Sequence, residues 1–343
     1  MPRFRTTHVF LDLMLLILIL CRNNYVTIAT FVSHHSPAIT KCKQSSVHHC
    51  LYMMGKRQHQ QRNKDRRSNR NNNKTKKKQS LESLLELETD LHSRGFTYVI
   101  GSDDSGGAAC IAGPVVVASC CVLKPYCSIF SDVMMLSSSP IPTSTIIESE
   151  PVDMPQSAVD ILRQVNDCKV LTSIQRQDIY DIITEYPNVF AITTAYRSAQ
   201  QIDELNLMRA TQEAFAESIE KLVDQCNLPY ENCYAIVDGK VSPKLYADKR
   251  EEESDMHTHQ AFTKRFSVRP YVNGDANVFV VALASIVARI TRDKMMKALH
   301  ELHPSYMFDE NNGYGTKDHI DILHRLGSIE GVHRLSFKQV AGR

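Results

Sequence analysis

The sequence predicts an α/β fold, in which helices flank a central β-sheet. Short apolar runs that end in glycine or acidic residues are typical of buried strands, and they alternate with segments whose apolar residues recur at helical spacing. Strands followed by helices are the pattern of an α/β domain. The 343-residue chain is 43% hydrophobic and 23% charged, so it is long enough and apolar enough to bury a core.

The charge of the chain is unevenly distributed. Residues 1–80 contain 16 Lys and Arg and two acids, a net charge of +14, while the whole chain carries only +2, so the remainder carries −12. A basic leader therefore precedes an acidic body, and we exclude residues 1–80 from the fold. An acidic body binds nucleic acid only where a cleft concentrates local positive charge.

The leader resembles a targeting segment. An apolar stretch over 9–21, interrupted by Asp12, is shorter than the roughly 20 residues that a transmembrane span needs and is similar to the core of a signal peptide. An acid-poor basic tract follows that is too polar to fold alone. This order resembles the bipartite leaders of algae with secondary plastids, and it predicts an organelle, plastid or mitochondrion, with no stable membrane association after removal. The alternatives are a nuclear or cytoplasmic protein with a disordered basic tail, or a nucleic-acid tether.

The first elements of the body follow from periodicity. The acidic segment 81–93 has helical spacing, and 96–102 is a strand. A glycine-rich turn leads to a second strand over 110–123. Residues 124–157 are rich in Ser and Pro and lack periodicity, which predicts a low-complexity surface insertion within one domain.

The later elements alternate in the same way. Thr172 is a good N-cap for a helix, and a strand follows it. Next come a long helix that begins at Ser198, a short buried strand that ends at Asp238, and a second long helix after a polar loop. The predicted ranges are 172–186, 188–196, 198–226, 233–240 and 274–303.

Four carboxylates are the candidate metal ligands. Asp103 and Asp104 end one strand, Asp238 ends another, and Asp293 lies on the last long helix. Sites in α/β sheets form at strand ends, and carboxylates without His or Cys partners suit hard cations such as Mg²⁺. Taken singly, each has a plainer interpretation: a turn residue for the first three, and a solvated helix face for Asp293.

Six motifs resemble, in the same order, those of type 2 ribonuclease H, the ribonuclease HII family. They span residues 97–340, and the last matches the family's closing motif almost in full. In this chain they read DDSGGAACIAGPVV, VNDCKVLT, NLMRATQEAF, IVDGK, ALASIVARITRDKMM and NNGYGTKDHIDILHRLGSIEGVHRLSF.

The resemblance implies a ribonuclease H-like fold within residues 81–343: a central mixed β-sheet flanked by helices, plus a C-terminal helical segment. It also implies that the four acids hold two divalent ions, Mg²⁺ or Mn²⁺, with Asp103 bridging them. Lys169 would face a phosphate, and Tyr314 would sense the ribose 2′-hydroxyl. Gly106 and Gly107 would let the backbone approach the nucleic acid closely.

The chain departs from the family pattern at three points. The family's second acid is Glu, and here it is Asp104. The family's Gly-Arg-Gly triplet lacks its arginine, and Gly107 stands in that position if one extra residue is placed near Ala108. A family lysine after GDA is replaced by Asn277. The ungapped alternative would put Asp104 first and Ser105 second, which loses an acid.

These observations predict an endoribonuclease that cuts the RNA strand of RNA–DNA hybrids and leaves 3′-hydroxyl and 5′-phosphate ends. Removal of RNA primers or ribonucleotides from DNA is the expected role. The expected partner is the hybrid itself, and we expect a monomer. The rival interpretations are a catalytically impaired homologue that only binds hybrids, and a nucleic-acid tether that binds through its basic tail.

Overall fold

The structure is a computed structural model that describes residues 79–125, 129–130, 154–240 and 267–342. The chain divides into two units, Met1–Thr75 and Lys76–Arg343, and all described residues belong to the second. The predictions about the leader therefore lie outside the described residues, as does most of the predicted insertion. No helix within the described ranges has the length and apolar character needed to cross a membrane.

Five strands form one mixed sheet. They are β1 (Tyr98–Ser105), β2 (Val115–Val122), β3 (Phe190–Arg197), β4 (Cys233–Asp238) and β5 (Ser267–Tyr271). The spatial order is β3-β2-β1-β4-β5. β2 is antiparallel to both β1 and β3, whereas β1, β4 and β5 are parallel to one another. The carboxyl ends of the neighbouring strands β1 and β4 therefore lie side by side at the same end of the sheet.

Helices cover both faces of this sheet. They are α1 (Leu81–Ser93), α2 (Gln156–Leu162), α3 (Ser173–Glu185), α4 (Ala199–Leu205), α5 (Leu207–Gln225), α6 (Gly274–Asn277), α7 (Phe279–Leu302), α8 (Phe308–Asn311), α9 (Lys317–Leu326) and α10 (Lys338–Ala341). Neighbouring residues of β1 point to opposite sides: Val99 joins the core built on α7, and Ile100 joins the core built on α5. This is the predicted α/β architecture with a C-terminal helical segment.

Gly101 explains how closely α7 approaches β1. A Cβ at this position would lie 2.3 Å from the carbonyl carbon of Val280, so any side chain would push the helix off the strand. Two residues further along β1 is Asp103, and Ser285 lies in the N-terminal part of α7. The close contact therefore brings this part of the helix against the carboxyl end of β1.

Several predicted elements are confirmed. The helix predicted over 81–93 is α1, which Ser80 caps by accepting a hydrogen bond from the Ser83 amide. Thr172 caps α3 and forms a reciprocal capping box with Gln175. Ser198 likewise caps α4. The strands predicted around Ala191 and before Asp238 are β3 and β4.

The prediction of one helix over 198–226 is wrong, because the chain breaks at Asn206. This residue has a φ of +66°, which ends α4, and its side chain accepts a hydrogen bond from the Arg209 amide, which begins α5. With a ψ of 157° this is a region that residues other than glycine rarely adopt, and apolar periodicity does not report it. The helix predicted over 274–303 is likewise divided at Val278, which is extended.

β5 lies in a segment for which the sequence predicts a polar loop, so this strand is a difference between prediction and structure. It has only five residues, includes Pro270, and lies at the edge of the sheet, where proline is tolerated. Neither its length nor its composition produces an alternating pattern. Its pairing with β4 is a tertiary contact that local sequence does not encode.

The predicted surface insertion over 124–157 returns to the core. Ile129 is buried, and Phe130 is fully buried with its ring edge-on to Phe279, at a centroid distance of 5.8 Å. Phe279 is the first residue of α7. This part of the insertion therefore buries the start of α7, so the surface assignment is wrong for these two residues.

We expect Phe130→Ala to lower the free energy of unfolding by about 3–5 kcal/mol, because it removes a fully buried ring and leaves a cavity. Urea denaturation of the full chain measures this. The matched control is Ile174→Ala at a side chain that is 71% exposed, for which we expect little change. Equal stability of the Phe130 variant and the wild type would show that this segment does not anchor α7.

Candidate metal and nucleic-acid site

The candidate site lies at the carboxyl ends of β1 and β4. The register pairs Ser102 with Val237, so the next residues on the two parallel strands are Asp103 and Asp238. Asp103 is buried, with 5% of its surface exposed, and Asp238 is half-buried. Oδ1 of Asp238 accepts a hydrogen bond from the Gly274 amide at 2.6 Å. Two carboxylates from non-adjacent parts of the chain thus share one edge of the sheet.

Burial and mutual repulsion perturb these acids. Burial, then the charges of Asp104 and Asp238, raise the pKa of Asp103 well above its usual range, opposed by a hydrogen bond from Ser285 on α7. Burial and Asp238 raise the pKa of Asp104 to about 6, opposed by Arg334 and Lys169. Burial also raises the pKa of Asp238. At this site burial and carboxylate repulsion therefore outweigh the attraction of the nearby cations Arg334 and Lys169.

Asp275 is an acid at this site that the sequence analysis did not name. It is buried, with 4% of its surface exposed, and its Oδ2 lies 2.7 Å from Nζ of Lys169. Burial acts to lower the pKa of Lys169, but the hydrogen bond and charge of Asp275 raise it. The Lys169 side chain remains 66% exposed. The ion pair therefore holds a charged amine at the rim of the acidic cluster.

Asp293 lies in a different set of contacts. It is not among the main charge interactions of Asp103 and Asp104. Its Oδ1 is 3.2 Å from Nε of Arg289, and it accepts a hydrogen bond from the side-chain amide of Asn312. Nη1 of Arg289 donates to the Tyr314 hydroxyl at 3.4 Å. Arg289 thus connects the predicted fourth acid to the predicted ribose-sensing tyrosine.

Arg334 holds the loop between β1 and β2 from the side of the protein interior. This arginine is fully buried, and its guanidinium donates to the carbonyls of Gly106, Gly107 and Gly113 at 2.6, 3.0 and 3.1 Å. Burial lowers its pKa to about 10. Because the glycine carbonyls face inward, Gly107 and the exposed Ala108 form the outer surface of the loop.

Gly106 has a structural requirement that Gly107 lacks. Its φ is +101°, and a Cβ there would lie 2.5 Å from both the Pro114 oxygen and Nε of Arg292. At Gly107 the nearest atom to an added Cβ is Oδ2 of Asp104 at 3.7 Å, an ordinary contact. The two glycines predicted to approach nucleic acid therefore differ: one shapes the turn, and the other leaves space next to an acid.

The donor set fits divalent cations. Carboxylate oxygens are the preferred ligands of Mg²⁺ and Mn²⁺, and uncompensated buried carboxylates gain most from a bound cation. Within the described ranges, no group of three or more His, Cys, Asp or Glu side chains is gathered around a single point where a metal ion would bind. Mg²⁺ in phosphoryl-transfer sites usually binds one or two carboxylates and completes its coordination shell with water and substrate phosphate. A site that offers fewer than three converging side chains therefore still fits Mg²⁺.

Comparisons with known proteins decide the family. The family model for ribonuclease HII matches residues 152–340. The ribonuclease HII of Fusobacterium nucleatum subsp. nucleatum is 31% identical over 258 residues, which is 75% of this chain and 93% of the relative. The chain belongs to the ribonuclease HII family. It is therefore a ribonuclease H enzyme, as predicted, and membership together with the observed mixed sheet confirms the predicted ribonuclease H-like fold.

Other similarities accompany this assignment. The ribonuclease HII of Cereibacter sphaeroides is 29% identical over 253 residues, or 74% of this chain and 90% of the relative. Among solved structures, the ribonuclease H2 of Pyrococcus horikoshii OT3 has 18% identity and a TM-score of 0.43, and the match covers 71% of this chain and 96% of that one. At that identity and TM-score, this last likeness bears on neither fold nor function.

The predicted site residues of this ribonuclease HII homologue thus form two groups. Asp103, Asp104 and Asp238 lie together beside Lys169. Asp293 and Tyr314 meet around Arg289. Four further residues of the site were not predicted from the sequence: Asp275, Ser285, Arg289 and Arg334. The last three lie within the quoted motifs, so the motifs were a signal, but only the structure shows what the side chains contact.

Proposed function

We propose that this chain hydrolyses the RNA strand of RNA–DNA hybrids and leaves 3′-hydroxyl and 5′-phosphate ends. The observation that carries the proposal is the cluster of Asp103, Asp104 and Asp238, whose pKa values are all raised at one edge of the sheet. Such a cluster favours cations and, through them, phosphate. Family membership supplies the reaction class.

The proposed cofactors are two divalent ions, Mg²⁺ or Mn²⁺. When bound, they supply activation of the attacking water and stabilisation of the leaving 3′-oxygen. Asp103, Asp104 and Asp238 would hold them, with Asp293 completing the set from α7. The hydrogen bond from Gly274 fixes the rotamer of Asp238, and the hydrogen bond from Ser285 fixes that of Asp103. The ligands are therefore oriented before any ion arrives.

The remaining side chains act on the substrate. Lys169, charged and exposed at the rim, would pair with a backbone phosphate of the hybrid. Tyr314 would meet the ribose of the scissile nucleotide, where the 2′-hydroxyl distinguishes RNA from DNA. Arg289 donates to the Tyr314 hydroxyl and so orients its ring. The backbone of Gly107 and Ala108 would contact the nucleic-acid strand at the same end of the sheet.

The test is a cleavage assay of the full chain on a uniform, end-labelled RNA–DNA hybrid with Mg²⁺ or Mn²⁺. We expect cuts in the RNA strand only, and none in single-stranded RNA, RNA duplex or DNA duplex. The expected ends are checked by ligation, which requires the 5′-phosphate. A hybrid that is bound but left intact with both metals would contradict the proposal and support the impaired homologue. Such activity fits removal of RNA primers or ribonucleotides from DNA.

We expect the leader to be dispensable for hydrolysis, because every proposed site residue lies beyond residue 100. A chain that begins at Gln79 keeps the hydrogen bond from Asn166 to the Gln79 carbonyl and the Ser80 cap of α1. It should match the kcat/KM of the full chain on the hybrid at physiological salt. A matched chain that begins at Leu81 lacks the cap and should be less stable by about 1 kcal/mol. Loss of cleavage in the chain that begins at Gln79 would show that the basic tract contributes to the reaction.

A further inference from the structure

Two histidines are buried behind Tyr314. His319 lies on α9, and His333 lies in the segment that follows it. Both side chains are fully buried, and their ring centroids are 5.4 Å apart. The rings of Tyr306 and Phe308 pack against them. Burying two ionisable rings among aromatic side chains is costly unless both are neutral and fully hydrogen-bonded.

The hydrogen bonds allow one arrangement of protons. The Ile329 amide donates to Nδ1 of His333 at 2.9 Å, so the His333 proton must be on Nε2. Nε2 of His333 lies 3.3 Å from Nε2 of His319. Nδ1 of His319 lies 2.8 Å from the Tyr314 carbonyl, which only accepts, so the His319 proton is on Nδ1. His333 therefore donates to His319, and His319 donates to Tyr314, with all four ring nitrogens satisfied.

Burial keeps both rings neutral. It lowers the pKa of His319, and burial together with His319 lowers the pKa of His333 to about 4. The backbone on the other side of Tyr314 is also fixed, since the Tyr314 amide donates to the Asn311 carbonyl at 2.9 Å. Both peptide groups of Tyr314 are therefore held, while its side chain remains half-buried at the site.

We propose that His319 and His333 form a two-histidine relay that positions Tyr314 for substrate selection. The inference rests on the proposed role of Tyr314 at the ribose. The relay touches no substrate. Hydrogen bonds through the two rings connect the Ile329 amide to the Tyr314 carbonyl and so hold the Tyr314 backbone in place. Because this backbone is rigid, the tyrosine ring can meet the 2′-hydroxyl in only one position.

The first test is independent of cleavage. Nitrogen-15 NMR of the histidine rings in the full chain at neutral pH should show His319 protonated only on Nδ1 and His333 only on Nε2. The exposed His324, on the same helix, is the internal reference for a ring exchanging with water. Two Nε2-protonated rings, or a charged ring in either position, would overturn the relay whether or not the chain cuts hybrids.

The second test is a double-mutant cycle on kcat/KM for a uniform hybrid. The Tyr314 carbonyl accepts two hydrogen bonds, one from the His319 ring and one from the Thr316 amide at 2.8 Å. His319→Leu removes the first and leaves the second, and it should reduce kcat/KM by about tenfold, the effect of losing one buried hydrogen bond. In a Tyr314→Ala background the same change should have less than about a twofold effect, since two residues that act as a unit are not additive. His319→Asn, whose amide can still donate to the Tyr314 carbonyl, should retain most activity, and His324→Asn is the matched control.

Equal losses in both backgrounds would mean that His319 only stabilises the fold, and this would overturn the proposal. If His319→Leu fails to fold, the ring NMR and the His319→Asn variant still decide. If the wild type does not cut hybrids at all, the proposed function fails, whereas the tautomers are measured regardless.

Discussion

Replacing Asp103 by Asn is expected to abolish cleavage and leave the fold intact. Asn keeps the shape of the side chain but removes one charge from a site that must oppose divalent cations. Partners that merely hydrogen-bond to metal ligands matter by about 10–100-fold, so loss of a ligand should cost at least about a hundredfold in kcat. Asp238→Asn should behave in the same way. Turnover close to that of the wild type in either variant would refute the metal-site assignment.

The same variants should melt at a higher temperature than the wild type when metal is absent. The folded pKa values of Asp103, Asp104 and Asp238 are raised, so folding is penalised as pH rises above the unfolded value of about 3.9. For Asp104 the penalty grows until about pH 6. The gain in melting temperature should therefore be present at neutral pH and absent near pH 4, and Mg²⁺ should stabilise the wild type more than the variant.

Asp178→Asn is the matched control for both measurements, since Asp178 is exposed on α3. It should change neither turnover nor the effect of Mg²⁺ on melting. If the Asp178 variant lost activity as the Asp103 variant does, the loss would follow from removing any negative charge, and it would not indicate a metal site.

Long hybrids are expected to be cut in clear preference to single ribonucleotides embedded in DNA. The resemblance implies that the arginine of the Gly-Arg-Gly triplet and the tyrosine act together at the RNA–DNA junction. In the alignment with one extra residue near Ala108, Gly107 stands in place of that arginine. A hydrogen bond to a charged group contributes about 1.5–3 kcal/mol, so its absence should lower activity at a junction by about tenfold or more. A requirement for at least one 2′-hydroxyl should persist, because Tyr314 is present. The measurement is kcat/KM on both substrates at one salt concentration.

Gly107→Arg should restore part of the missing activity at single ribonucleotides. The structure has room for the change, because an added Cβ at Gly107 lies 3.7 Å from its nearest neighbour, Oδ2 of Asp104. Gly107→Ala fits equally well and adds no charge, so it should restore nothing. Gly106→Arg should destabilise the loop, because φ is positive there and the Cβ would meet backbone at 2.5 Å. If the wild-type enzyme had equal kcat/KM values on long hybrids and on single embedded ribonucleotides, the loop would recognise the junction without an arginine.

Sequence periodicity was sufficient for elements whose stability is local. α1 and α3 lie where apolar spacing and capping residues place them, and Ser80 and Thr172 act as caps in the structure. Periodicity failed where a backbone conformation or a distant partner decides the outcome. Asn206 breaks a helix through its φ, and β5 exists because β4 offers a free edge.

The family could be recognised from the amino-acid sequence alone, because six motifs in a fixed order identify residues without needing their positions in space. The sequence also singled out Asp103, Asp104 and Asp238, since acids at the carboxyl ends of buried strands stand where sites form in α/β sheets. Only the tertiary structure brought Asp275 to Lys169, Arg334 under the glycine loop, and the histidine pair behind Tyr314. The two histidines are 14 positions apart, Lys169 and Asp275 are 106 apart, and Gly106 and Arg334 are 228 apart. No local pattern records which distant group a side chain will meet.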